Sequence, residues 1–507
     1  MDAIFIKSFY PEIFLSLSIL YQLIFNVRLI NNIKNRYPLI NIEILWQGIF
    51  TLLCLLILEL NQILDVSSYR VLFISDITTQ TIKVFLVFIA LLSFLIVWKS
   101  FVIQNINFYE YFSLYFLSLL GVLLLVNSYD LISAYLVIEL QALAFYILAC
   151  FKRTSSFSTE AGLKYFILGS FISGLFLLGS FFIYATLGSL NINDIALMLS
   201  FDVQDNNIKM AILFGALLIT LSLLFKAAVA PFHFWAPDVY EGSPLASTII
   251  FSILPKFSIF VFLMRWVSLF VNEFIFLKTV LIISGIFSIF WGAYFAIIQK
   301  RIKRFIIYSS ISQVGFIVVA CSISSIESYT SIFFYLFVYL ISSVVIWGSL
   351  VCLYDYSSAV SKFEGRITLK PIYIIDIASY FKINYVWSLM LLSIFFSFSG
   401  IPPLSGFLSK VLIIFGLVAN EDLTLAVVLI VVSIVSTYYY LRIIKIIFFD
   451  NQKYTSISKG LLTVCSYSLN TECTILSFCT FLLFFLFFYP SFILLLVNSA
   501  AYGCVLV

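Results

Sequence analysis

Apolar residues run along this chain in long unbroken stretches, not in the alternating or every-third pattern of a soluble protein. Each stretch is close to the roughly 20 residues a helix needs to cross a ~30 Å hydrocarbon core. Fourteen are read here as segments 1–14: 10–27, 43–61, 81–98, 110–127, 130–150, 161–187, 208–229, 246–271, 275–298, 304–324, 329–354, 386–415, 423–447 and 474–497. The links between them are short and polar, except 355–385, which is long enough for an amphipathic surface helix. The pattern predicts an all-α polytopic membrane protein of about 14 transmembrane helices.

Composition strengthens this reading. Of 507 residues, 63% are hydrophobic and 10% charged, with a mean hydropathy of +1.14. Soluble domains are about a quarter charged. The net charge of +4 is small and scattered, so nucleic acid is not an expected partner. Eight cysteines and one histidine form no cluster with the spacing of a zinc, haem or iron–sulfur site. Nucleotide fingerprints and phosphate loops are missing too, so no cofactor or metal is expected in this chain. The start, MDAIFIKSFYPEIF, lacks the Arg-rich amphipathic character of a transit peptide, so insertion from the first segment is expected. Abundant Phe (57) and Tyr (30), whose codons are A/T-rich, hint at an organellar gene.

The 28 basic residues divide by side. Eighteen follow odd-numbered segments: Arg28, Lys34, Arg36, Lys99, Lys152, Arg153, Lys300, Arg301, Lys303, Arg304, Lys362, Arg366, Lys370, Lys382, Arg442, Lys445, Lys453 and Lys459. The opposite side has only Lys7, Arg70, Lys83, Lys209 and Lys278. The positive-inside rule therefore puts both termini outside.

Five cations remain within hydrophobic runs: Lys164, Lys226, Lys256, Arg265 and Lys410. Lys164 and Arg265 lie toward segment ends, where a long side chain snorkels to the interface. Lys226, Lys256 and Lys410 are flanked by apolar residues on both sides. A charge near the bilayer centre costs at least ~3 kcal/mol and usually marks an ion or proton path. Glu139, nine residues into segment 5, is their acidic counterpart, and its partner must come from another helix. A buried lysine that loses its carboxylate partner favours its neutral form, so opening and closing such a pair moves a proton.

Two segments are interrupted. Lys226 precedes Ala230-Pro231-Phe232-His233, and Pro231 disrupts the preceding turn. Lys410 follows Gly400-Ile401-Pro402-Pro403-Leu404, which cannot be regular helix. Breaks at corresponding positions in two halves point to an inverted-repeat transporter. They fall in segments 7 and 12, offset by five. Two inverted five-helix repeats, segments 4–8 and 9–13, are expected, with Lys226 and Lys410 pseudo-equivalent. The chain divides accordingly into 1–108, 109–272, 273–450 and 451–507. His233, the single histidine, is a further candidate for a proton path because imidazole titrates near neutrality. Ser309, Ser310, Ser312 and Gln313 form a polar stripe in segment 10.

At these residues the chain resembles a known family. The stretches YDLISAYLVIELQALAFYIL, FSTEAGLKYFILGSF, LLFKAAVAPFHFWAPDVYEGSPLAS, LPKFSIF, IKRFIIYSSISQVGF and FSGIPPLSGFLSKVLIIFG carry the likeness. They resemble the antiporter-like membrane subunits of mitochondrial NADH:ubiquinone oxidoreductase (respiratory complex I), the subunit 2 group above all. More broadly they are similar to subunits of bacterial complex I and of multisubunit cation/proton antiporters. The resemblance implies that Glu139 pairs with Lys226, that Lys256 belongs to a central hydrated axis, and that Lys410 ends it. It matches Lys164 to an inner-side lysine. Many relatives carry histidine where this chain has Gln313, and water held by Gln313 and Ser312 would have to replace it. The resemblance further implies a proton-translocating core subunit of the complex in the mitochondrial inner membrane. FMN, iron–sulfur clusters and ubiquinone would then lie in partner subunits. Neighbouring antiporter-like subunits and membrane lipids, cardiolipin among them, are the expected partners. A stand-alone cation/proton antiporter, a plastid-type relative and a purely structural membrane spacer are the competing readings.

Overall fold

The computed structural model describes residues 9–31, 42–62, 72–104, 109–200, 205–271, 273–364, 373–378, 381, 385–450 and 471–505. The link 451–470, assigned above to a C-terminal unit, lies outside the described residues, as do the basic residues Lys7, Lys34, Arg36, Arg70, Arg366, Lys370, Lys382, Lys453 and Lys459. Among the described residues there is no β-strand, and eighteen α-helices follow one another. The first six are α1 (Tyr10–Asn31), α2 (Ile42–Leu60), α3 (Ile77–Gln104), α4 (Glu110–Asn127), α5 (Leu131–Ala149) and α6 (Ser156–Leu187). A short α7 (Ile192–Ser200) precedes α8 (Asn206–Lys226), α9 (Trp235–Gly242) and α10 (Leu245–Phe270). The second half holds α11 (Ile275–Ile298), α12 (Ile302–Cys321), α13 (Ile326–Glu364), α14 (Tyr385–Ser399), α15 (Ser405–Ala419) and α16 (Leu423–Phe448). The last two are α17 (Thr471–Phe488) and α18 (Ser491–Val505).

Twelve of these helices are individually long and apolar enough to cross a membrane. Segment 12 is not one helix. It is two apolar helices of 15 residues each, α14 and α15, either side of Gly400–Leu404. Segment 14 departs from its expected form as well, because α17 and α18 meet at 82°. Pro490 sits at that corner; it lacks an N–H and its ring crowds the preceding turn. The long link after segment 11 departs again. Among the described residues α13 continues through its first part to Glu364, giving 39 residues and a length of about 58 Å. A 3-10 turn at Ile374–Ile377 lies among the described residues of the rest of this link.

Residues Leu245 to Val267 of α10 are all buried, so this helix is the axis of the bundle. It packs against α3, α4, α5, α8 and α13. Outward faces elsewhere are apolar, with Phe166, Phe171 and Phe181 on α6 and Ile430, Ile434 and Tyr438 on α16 exposed. In lipid such faces need no cover, and helix contact is left to close packing of small residues. Gly179 of α6 and Gly215 of α8 illustrate this. A Cβ on either glycine would lie 2.8–2.9 Å from the other's carbonyl oxygen.

Two expected placements are corrected. Arg265 does not snorkel. It is 2% exposed and donates to the carbonyls of Val126 (2.8 Å) and Ser128 (3.5 Å) and to Thr78 Oγ1 (3.3 Å). The carbonyls freed where α4 ends hold the guanidinium better than an interface would. Lys83 is not a solvated flanking charge either; it is fully buried, in an ion pair with Glu12.

Candidate functional site: a buried line of lysines

Each of the three buried lysines sits beside a proline-weakened stretch of helix. Lys226 is the last residue of α8. Beyond it the chain turns through Ala228, at φ 60°, toward Pro231. The carbonyls freed there are reused: Phe225 O accepts from Ala228 N (2.9 Å) and from the Trp235 indole (3.1 Å). Lys256 follows Pro255, a proline inside α10. Pro255 has no N–H for the carbonyl of Phe251, and the Tyr240 hydroxyl donates to it instead (3.2 Å). Lys410 lies in the second turn of α15, after the Pro402-Pro403 break. It therefore follows its break, whereas Lys226 precedes its own, so the two differ in register.

The break before α15 is shaped around Lys410. Gly400 has φ 82°, a left-handed conformation natural to glycine. A Cβ there would lie 3.0 Å from Lys410 Cδ and 3.5 Å from Nζ. The ammonium donates to the carbonyls of Phe398 (2.7 Å) and Ser399 (3.0 Å), which the end of α14 leaves without helical partners. It also lies 5.3 Å from the centre of the Phe316 ring.

Glu139 and Lys226 do not form a closed pair in this structure. Glu139 Oε1 and Lys226 Nζ are both buried, and neither has a hydrogen-bond partner. Lys226 and Lys256 line one cavity of about 20 Å³ with Gln141, Tyr165, Trp235 and Tyr240. That is room for one water molecule between polar groups. Lys256 then donates to Tyr339 Oη (2.7 Å) and Ser310 Oγ (3.2 Å). Tyr339 in turn lines a second small cavity with Lys410, Gln313, Tyr335 and Ser409. The line thus runs Lys226, Lys256, Tyr339, Lys410 without leaving the interior.

Gln313 is held on every side. Its amide donates to Phe398 O (3.1 Å) and Tyr440 Oη (3.2 Å), and Tyr335 donates to its Oε1. Ser312 and Tyr439 hydroxyls meet at 3.1 Å nearby. The tyrosines Tyr335, Tyr339, Tyr439 and Tyr440 were not among the sequence-derived candidates. Their signal was available: Tyr335 and Tyr339 are spaced i, i+4 on one face of segment 11.

Two candidates lie off this line. Lys164, 44% exposed, pairs with Glu160 (2.8 Å) and Asp238 (3.1 Å). It borders an open cleft of about 640 Å³ that also holds Lys152, Glu241, Arg301, Lys303 and Arg304. Glu241 there pairs with Arg301 (2.6 Å) and with Arg304. The glutamate raises the basicity of Arg301 through its hydrogen bond and its charge. His233 is buried against Phe234 and Tyr308, with ring centres 4.5 and 6.4 Å away. It borders neither cavity that holds Lys226.

Known proteins are similar to this chain in sequence and in fold. A family profile described as "NADH:quinone oxidoreductase/Mrp antiporter, TM" matches residues 128–437. The chain is 34% identical to NADH-ubiquinone oxidoreductase chain 2 of Marchantia polymorpha over 503 residues, 97% of each chain. It is 34% identical to NADH-quinone oxidoreductase subunit N of Pelagibacter ubique over 446 residues, 87% of this chain and 89% of the other. Among solved structures, a chain of respiratory complex I from Thermus thermophilus with bound aureothin superposes with a TM-score of 0.75 at 22% identity. That superposition covers 96% of this chain and 99% of the other. A chain of the Mrp complex from a Dietzia species does so with 0.78 at 18% identity, covering 99% and 98%.

Proposed function

We propose a function from the premise that this chain belongs to the NADH:quinone oxidoreductase/Mrp antiporter transmembrane family, as a complex I membrane-arm subunit of the chain 2 or subunit N kind. It carries protons across the mitochondrial inner membrane along Glu139, Lys226, Lys256 and Lys410, driven by electron transfer from NADH to ubiquinone in partner subunits. The observation that carries this reading is the continuity of the line. Lys226 and Lys256 share one cavity, and Tyr339, bonded to Lys256, shares the next with Lys410.

The physical sequence is short. Closing Glu139 onto Lys226 favours the lysine's charged form; opening it leaves an unpaired buried ammonium, which yields its proton toward Lys256. Moving one charge against the membrane potential costs ~2.3 kcal/mol per 100 mV. A rearranged ion pair in a low-dielectric interior supplies a term of that order. Lys164 and His233 lie off the line, and their part is to hold the inner-side helix ends, α9 among them, around its mouth. In this reading the chain holds no redox centre, FMN and iron–sulfur clusters belong to partner subunits, and both termini face the intermembrane space. The two five-helix units are related by inversion, and the 640 Å³ cleft meets lipid headgroups or a neighbouring subunit.

The test is Lys226→Met in the assembled complex. Proton translocation and coupled quinone reduction are expected to fall severalfold with assembly retained. An unchanged proton-to-electron ratio would overturn the reading.

A further inference from the structure

A second group of buried charges lies away from the lysine line, where α1 begins, α2 ends, α3 begins and α4 ends. Lys83 of α3 is fully buried and paired with Glu12 of α1. Asn127, the last residue of α4, donates to the same Glu12 oxygen (3.0 Å). Glu59 of α2 is also fully buried, and its Oε1 lies 4.0 Å from Lys83 Nζ. Neither carboxylate oxygen of Glu59 has a hydrogen-bond partner among the described residues. Gln80 satisfies only the backbone there, donating to the carbonyls of Glu59 (3.1 Å) and Leu60 (3.4 Å).

The charge count is the difficulty. Two carboxylates and one ammonium, all ionised, leave one uncompensated negative charge in an interior where no donor among the described residues is aimed at it. Buried carboxylates in that position take up a proton. The lysine is already committed to Glu12, which has the shorter contact and the Asn127 donor. Among the described residues the groups facing Glu59 are Lys83 and Glu12, and beyond Asn127 the next charges on this side are Arg265 and Asp76.

We propose that Glu12, Glu59 and Lys83 form a proton-binding site in the N-terminal helices, separate from the lysine line, with the proton held on Glu59. The proton comes from water on the face where α1 begins and forms an O–H bond on Glu59; no other bond changes. Glu12 stays ionised against Lys83. The site also has a route to the central helix. Asn127 touches Glu12, and its chain neighbours Val126 and Ser128 hold Arg265, which is nine residues along α10 from Lys256. A change of charge at Glu59 therefore reaches α10 through a chain of direct contacts.

The test is infrared spectroscopy of the purified, assembled complex in H2O and D2O, comparing the native chain with Glu59→Gln, Glu12→Gln and Glu59→Asp. The native-minus-Glu59→Gln difference is expected to contain one protonated-carboxyl C=O band that shifts in D2O. In Glu12→Gln the ammonium is released to Glu59, which then ionises, so that difference contains the same band, whereas Glu59→Asp returns the band at a changed frequency. No band in the first difference overturns the proposal, as does a band whose frequency Glu59→Asp leaves unchanged, which places the proton on Glu12. If Glu59→Gln does not assemble, Glu59→Asp decides: a shifted band supports the site and an unshifted one overturns it.

Discussion

Gln313 and Lys410 share one acceptor, the carbonyl oxygen of Phe398, at 3.1 and 2.7 Å. The amide is thus coupled to the last lysine of the line through a single backbone atom. Gln313 cannot take up a proton, so its part is to orient that carbonyl and the Tyr335 hydroxyl. Gln313→Leu should leave that hydroxyl unpaired, at a cost of ~1–3 kcal/mol. We expect reduced thermal stability of the assembled complex and a slower coupled rate. Gln313→His keeps a ring N–H for Phe398 O and should be milder on both counts. Equal effects of the two variants in a melting and turnover comparison would refute the orienting role.

Gly400 is required by the same corner. Its φ of 82° costs a residue with a Cβ about 1–2 kcal/mol. The added methyl would also press on Lys410 at 3.0 Å from Cδ. Gly400→Ala should therefore displace the lysine from its two carbonyls. The expected outcome is an assembled complex whose quinone reduction is less tightly coupled to proton movement. Measuring proton flux and NADH oxidation on the same vesicles checks it, and a native ratio would count against the idea.

Lys164 tests the boundary of the site. Its ion pairs with Glu160 and Asp238 are well exposed, and such pairs are worth ~0–1 kcal/mol. Lys164→Ala should leave coupled turnover close to native, a far smaller loss than the severalfold fall of Lys226→Met. A loss as large as that of Lys226→Met would place Lys164 on the line after all.

How much was legible in the sequence depends on how each residue type reads against lipid. Lys226, Lys256, Lys410 and Glu139 stood out because a charge inside an apolar run has no bland explanation, and Pro231 and Pro402 marked the breaks beside two of them. Pro255 marked the third, but a single proline in an apolar run reads as a kink. Tyr335, Tyr339 and Tyr440 were hidden because tyrosine counts as apolar body until its hydroxyl finds a partner. Glu12, Glu59 and Lys83 were hidden for another reason. Each lies near a segment end, where a charge reads as a solvated flank, and only the packing of α1, α2 and α3 brings the three together. Arg265 reads as a flanking charge by the same logic, since its acceptors Val126 and Ser128 belong to a different helix end.

Tyr339 is where the line is most exposed to a single change. Its hydroxyl accepts from Lys256 at 2.7 Å, and the same side chain borders the cavity of Lys410. Tyr339→Phe keeps the ring, which lies 5.1 Å from the ammonium, and so preserves packing and the cation–π contact. It removes only the oxygen. Lys256 would keep Ser310 at 3.2 Å as its remaining partner. A hydrogen bond to a charged group contributes about 1.5–3 kcal/mol, so coupled proton transfer should slow by roughly tenfold or more. Because the lost atom joins the two cavities, the defect should appear in proton flux before it appears in assembly or melting temperature. Ser310→Ala, which removes the longer and weaker contact, should do less. If Tyr339→Phe pumps at the native rate while Ser310→Ala does not, the path from Lys256 leaves through Ser310 and the polar stripe of α12 instead.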